Sequence, residues 1–218
     1  MKRAISVFAR FCFLASCVAL LSASSLAQSP DKSPSKLPPL MPRDREIAMA
    51  LSAGPEHLRK DATIYVLERG GFVKAREGAN GFTCLVLREG TEGTAPICYD
   101  AEGSQTTLIV NLKKAELREQ GKSDEEIERE IAEGFRAGKY HAPRKPGIAY
   151  MLSTENHLHN PRTGKTFVYP PHVMLYAPYF KNSDIGATAA HRGSLTQPWI
   201  LNEGEPDAYI IVVPREKR

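Results

Sequence analysis

From residue 43 onward the apolar positions fall into short blocks, and the period within each block names the element it predicts. Arg43–Ser52 reads as a short helix stopped by Gly54-Pro55. Residues 62–68, Ala-Thr-Ile-Tyr-Val-Leu-Glu, have the β-branched and aromatic character of a strand. Gly70-Gly71 then turns the chain into two further strands, 72–76 and 82–87, and Asn80-Gly81 between these supplies the positive φ that a tight hairpin needs. The three blocks together predict a β-meander.

Between residues 106 and 137 the period changes to that of a helix. One segment covers 106–119 and a second 123–137, with Gly121 and Gly138 where helices end. The second is marked at both levels of chemistry. Ser123 and Glu126 stand at capping-box spacing, Asp124, Glu125 and Glu126 load the positive end of the dipole, and Ile127, Ile131 and Phe135 recur on one face. Its charges, such as Glu128, Arg129 and Glu130, form a solvated outer face.

Strand character returns at 147–152, 166–169 and His172–Tyr176, and closes at 208–213, Ala-Tyr-Ile-Ile-Val-Val, before Pro214. That last run is apolar on both faces, so it predicts a central strand that pairs back against an earlier one. The expected class is α+β: a mostly antiparallel sheet with a helical pair packed on one face.

The N-terminus follows a different logic. Met1-Lys2-Arg3 and Arg10 precede an apolar stretch at 11–21, about ten to twelve residues against the roughly 20 that a bilayer span requires. Ser25-Leu26-Ala27 supplies small residues for cleavage, so 1–27 reads as a signal peptide cut after Ala27 and the mature chain as periplasmic or secreted. A lipid anchor at Cys17, within Leu14-Ala15-Ser16-Cys17, is disfavoured because the chain stays apolar from Val18 to Leu21. Residues 28–42 hold five prolines and little to bury, which predicts an extended, solvated linker before a single domain at 43–218.

Cleavage alters both the charge and the cysteine arithmetic. The formal charge of +4 falls to +1 once Lys2, Arg3 and Arg10 leave, so the basic balance belongs to export and argues against nucleic acid as a partner. No transmembrane span is expected in the mature chain. Cys12 and Cys17 leave with the signal, and Cys84 and Cys98 remain 14 positions apart, with Gly90, Gly93 and Pro96 as turn formers between them. In an oxidising compartment this predicts a disulfide.

Three groups of residues could carry chemistry. His157 and His159 lie two apart on an extended chain, and with His172 they offer a candidate divalent-metal site, the only cofactor the sequence suggests. His191, Ser194 and an acid, Glu155 or Asp184, supply the residue types of a serine hydrolase without a Gly-x-Ser-x-Gly elbow. Tyr179, Phe180 and Trp199 could present apolar faces with polar edges to a sugar or a peptide, whereas Tyr150 and Tyr176 sit in apolar strands and read as core. No enzyme class with a strong local signature is represented. The preferred reading is therefore an exported ligand-binding or interaction module, with a metal-dependent or serine hydrolase as the alternative.

The segments Asn80-Gly81-Phe82-Thr83-Cys84, Lys139-Tyr140, Met151-Leu152-Ser153-Thr154-Glu155-Asn156 and Leu201-Asn202-Glu203-Gly204 resemble a group of uncharacterised exported bacterial proteins. The resemblance runs over most of the domain and implies a single exported domain, with no activity to carry over.

Overall fold

The computed structural model describes residues 38–89, 92–160, 163 and 165–214. Residues 1–27, which carry the expected signal peptide with Cys12 and Cys17, and most of the expected linker at 28–42 lie outside the described residues. The end of that linker departs from the expected solvated spacer: Pro38 is buried and Met41 packs against the core beside the first helix, α1 (Arg43–Ser52). Proline carries no N–H to satisfy, so it can be covered without cost to the backbone. No helix among the described residues is long and apolar enough to cross a membrane.

The described residues form an α+β fold built on a ten-stranded, mostly antiparallel sheet. Its strands are β1 (Thr63–Glu68), β2 (Gly71–Arg76), β3 (Thr83–Glu89), β4 (Gly93–Tyr99), β5 (Ile148–Met151), β6 (His157–Asn160), β7 (Lys165–Val168), β8 (His172–Tyr176), β9 (Trp199–Leu201) and β10 (Tyr209–Val212). They lie in the order β2-β1-β3-β4-β5-β8-β10-β9, and the β6–β7 hairpin joins β4 through Thr94 and His157. The C-terminal strand β10 sits between β8 and β9, as its two-sided apolar character required.

The first three strands are not a meander. β2 pairs antiparallel with β1, but β3 lies on the other side of β1 and runs parallel to it, with Thr63 opposite Thr83 and Ile64 opposite Cys84. The Asn80-Gly81 turn, with Gly81 at φ 78°, therefore joins strands that are not neighbours. The chain crosses the start of β1, where Gly78 N–H donates to Thr63 Oγ1 at 3.0 Å and Ala79 N–H to the Asp61 carbonyl at 2.8 Å. A Cβ on Gly78 would come within 2.3 Å of the Asp61–Thr63 backbone, so only glycine permits this crossing.

Strand β4 replaces what the sequence presents as a turn-rich segment, and Pro96 stands in its middle. Cys84 and Cys98 face each other with Cα atoms 4.0 Å apart, the spacing of a non-hydrogen-bonded pair, and Val86 opposite Pro96 is two residues along and so of the same kind. Proline's missing N–H thus points away from β3, toward the gap on β4 between the pairings to β5 (through Cys98 and Tyr99) and β6 (through Thr94). Cys84 and Cys98 meet at disulfide distance. Closing a loop of this size contributes about 3 kcal/mol.

Alternation along β3 and β4 divides the core. Cys84, Val86 and Cys98 face α1, where Met49, Ala50 and Ala53 cover them together with Ile64 and Val66. Leu85, Ile97 and Tyr99 face the other way, toward Leu108 of α4 (Thr107–Glu119). Helix α4 packs on α5 (Asp124–Arg136) through Val110, Leu117, Ile127 and Ile131, and the capping box is formed, with Ser123 N–H donating to Glu126 Oε2 at 2.9 Å. The expected helical pair thus covers one face, and α1 covers the opposite one. Short helices α2 (Glu56–Arg59) and α3 (Ala101–Gln105) complete the connections.

Candidate functional site

Where α4 crosses the β2–β1–β3 end of the sheet, the two layers do not close completely. They leave a cleft of about 310 Å³. Leu67, Phe72 and Leu87 form its sheet wall, and Asn111, Lys114, Ala115, Arg118 and Glu119 form its helix wall, with Glu128 of α5 at the rim and Pro38 against it. The helix residues recur at three and four positions, so they share one face of α4, and Leu108 and Leu112 beside them anchor that face to the sheet.

The charges of the cleft are arranged unevenly. Lys114 pairs with Glu128 at 2.9 Å and Arg118 with Asp124 at 3.2 Å. The cations are 22% and 25% exposed, whereas their carboxylates are 66% and 76% exposed. The positive groups therefore lie inside and the negative ones outside. Glu119 is the exception, a lining carboxylate that accepts from Arg69 Nη1 at 3.1 Å and from Gly70 N–H at 3.3 Å. Asn111 donates its amide to the buried Tyr99 hydroxyl at 2.7 Å, an acceptor whose own pKa burial drives well above the ordinary phenol value.

Arg88 reaches the cleft from the end of β3. Its Nη2 is 2.9 Å from Glu46 Oε2, and Glu46 Oε1 also accepts from Leu67 N–H at 3.0 Å. Burial pushes the Arg88 pKa down and the Glu46 pKa up, each against the attraction of the other. Arg88 Nε has no hydrogen-bond partner among the described residues.

The sequence-derived candidates lie outside this cleft. His157 is exposed and His159 half-buried on β6, whereas His172 is buried on β8 with Nδ1 2.9 Å from the Pro170 carbonyl. Among the described residues no group of three or more His, Cys, Asp or Glu stands close enough to hold a metal ion. The hydrolase residues are committed to local turns: His191 Nδ1 accepts from Thr188 N–H at 2.8 Å, and Ser194 Oγ accepts from Thr196 and Gln197 N–H at 3.2 and 3.1 Å. Glu155 is paired with Arg45, and Asp184 accepts from Lys181 N–H at 2.8 Å. A second cavity of about 400 Å³ borders His191 with Ile185, Gln197, Pro198 and Ile210, but its single ionisable wall group already holds that backbone bond.

The aromatic trio divides. Tyr179 and Phe180 are exposed, and Tyr179 takes a left-handed φ of 65°. Trp199 is core: it lies opposite Ile211 in the β9–β10 pair, packs beneath the sheet and donates Nε1–H to Tyr169 at 3.4 Å. The cleft itself was not singled out in the sequence. Its only local trace is the Asn111, Lys114, Arg118 stripe flanking the apolar positions of α4, which by pattern alone is an ordinary solvated edge. No family model, curated protein or solved structure matches the chain, so the site stands on its geometry.

Proposed function

We propose that the protein is an exported binding module for a small ligand, seated in the cleft between α4 and the β2–β1–β3 end of the sheet. One observation carries this: the cleft combines an apolar wall with inward cations whose partner carboxylates lie at the rim. Small-ligand sites are concave and combine apolar walls with placed polar groups; this lining has five apolar and six polar or charged residues, and a volume near 310 Å³ suits a small molecule. The signal-peptide pattern of residues 1–27 supports delivery of the module outside the cytoplasm.

The reading is tested by a thermal-shift screen of a small-molecule library against the mature chain, residues 28–218, beside an Ala115→Phe variant that fills the cleft. Compounds that raise the melting temperature of the native chain and leave the variant unmoved support it. Compounds that stabilise both proteins equally place binding elsewhere. Mass analysis of the exported protein checks the address, with Gln28 expected as the first residue.

A further inference from the structure

Resting on the ligand-binding reading of this cleft, we infer that its ligand is a small amphiphile with one anionic head and a short apolar body. The head is placed by Lys114 and Arg118. Each is paired with a carboxylate that is mostly in solvent, Lys114 lying also within the field of the half-buried Asp207, and pairs with one partner so exposed contribute between about 0 and 1 kcal/mol. An incoming carboxylate can therefore compete for both cations, since Glu128 and Asp124 already stand mostly in solvent. Their aliphatic stems line the walls and leave the charged ends to meet a polar head.

The body is placed by Leu67, Phe72, Leu87 and Ala115, which offer apolar surface in the same cleft. Neither remaining charge competes for the head. Arg88 is held by Glu46, and Glu119 has both oxygens occupied by Arg69 and Gly70. Each charged group of the wall has a partner of opposite sign, and the partners of Lys114 and Arg118 are the ones that stand mostly in solvent. A cationic head would meet Lys114 and Arg118 as repulsion, and a neutral one would offer them no charge.

The test is a calorimetric or ligand-detected NMR titration of the mature chain with hexanoate, hexanol, hexylammonium and inorganic phosphate. Hexanoate is expected to bind several-fold more tightly than hexanol, and hexylammonium and phosphate more weakly than either. Lys114→Met and Arg118→Met should each remove most of the preference for hexanoate over hexanol. If hexanol and hexanoate bind equally, and both are lost in Ala115→Phe, the cleft stands and the anionic ligand class is overturned. If hexanoate is preferred but neither substitution alters the preference, the head is misplaced and the inference fails. If no probe binds, or Ala115→Phe changes nothing, the binding site itself is overturned.

Discussion

Glu46 and Arg88 form an ion pair sealed between α1 and the end of β3, with side chains only 1% and 5% exposed and Nη2 2.9 Å from Oε2. Desolvation outweighs their attraction for both partners, which raises the carboxyl and lowers the guanidinium pKa. Such a pair holds position more than it stabilises, because each charge is costly alone and nearly neutral in its partner's company. It ties the first helix to β3, a strand that contributes Leu87 and Arg88 to the cleft.

Breaking the pair on one side should therefore be far worse than removing it. Glu46→Gln, which keeps an acceptor for Leu67 N–H but leaves Arg88 buried and unpaired, is expected to cost about 3–5 kcal/mol. The double variant Glu46→Gln, Arg88→Met should return to within about 1 kcal/mol of the native chain. Urea unfolding of the three proteins decides it. Additive losses would mean that the two side chains act independently.

His172 gives the fold a dependence on pH. Its imidazole is 3% exposed, edge-on to Tyr169 with ring centres 4.9 Å apart, and burial lowers its pKa below the ordinary histidine value. A lowered folded pKa means that the unfolded chain takes up the proton first. Stability from this group is complete above the unfolded value of about 6.5 and is lost as pH falls toward the lower folded value. Denaturation midpoints of the native chain should drop more steeply below pH 6.5 than those of His172→Gln. Parallel curves for the two proteins would remove His172 as the cause.

Gly103 and Tyr176 share a space that admits no methyl group. A Cβ on Gly103 would come within 1.9 Å of the Tyr176 hydroxyl, which donates to Asp100 Oδ1 at 3.0 Å. Asp100 also accepts from Gly103 and Ile148 N–H, at 2.9 and 2.8 Å, so the clash would strike the junction of α3, β5 and β8. Gly103→Ala should destabilise by about 1–3 kcal/mol. Combining it with Tyr176→Phe should cost less than the sum of the two single changes, measured by calorimetry in a double-mutant cycle.

Tyr179 holds a left-handed backbone between two fixed turns: its N–H donates to the Glu205 carbonyl at 2.9 Å, and Gly204 N–H donates to the Phe180 carbonyl at 2.8 Å. For a non-glycine residue this conformation costs roughly 1–2 kcal/mol, and a ring that is 60% exposed recovers little of it through packing. Tyr179→Gly is expected to raise stability by about 1 kcal/mol. A loss of stability on thermal melting would show that the ring makes a contact the fold depends on.

What the sequence determined by itself is local. The capping box of α5, the helix of Arg43–Ser52 and strand β8 (His172–Tyr176) rest on signals within one or two turns of chain, where side-chain chemistry acts directly on its own backbone. The pairing of Cys84 with Cys98 is also legible, because these are the two cysteines beyond the apolar N-terminal segment. Tertiary structure alone decided the rest. Asn80-Gly81 specifies a turn but not which strand the returning chain must join, and the close passage of Gly78 over β1 made that choice. Pro96 looks like a strand breaker until the gap between β5 and β6 gives its missing N–H somewhere to face. The cleft is the extreme case: Leu67, Phe72, Leu87 and Arg118 come from separate elements, and no local period links them. They meet because β1 lies between β2 and β3 and α4 is laid across all three, a consequence of burial summed over the whole sheet.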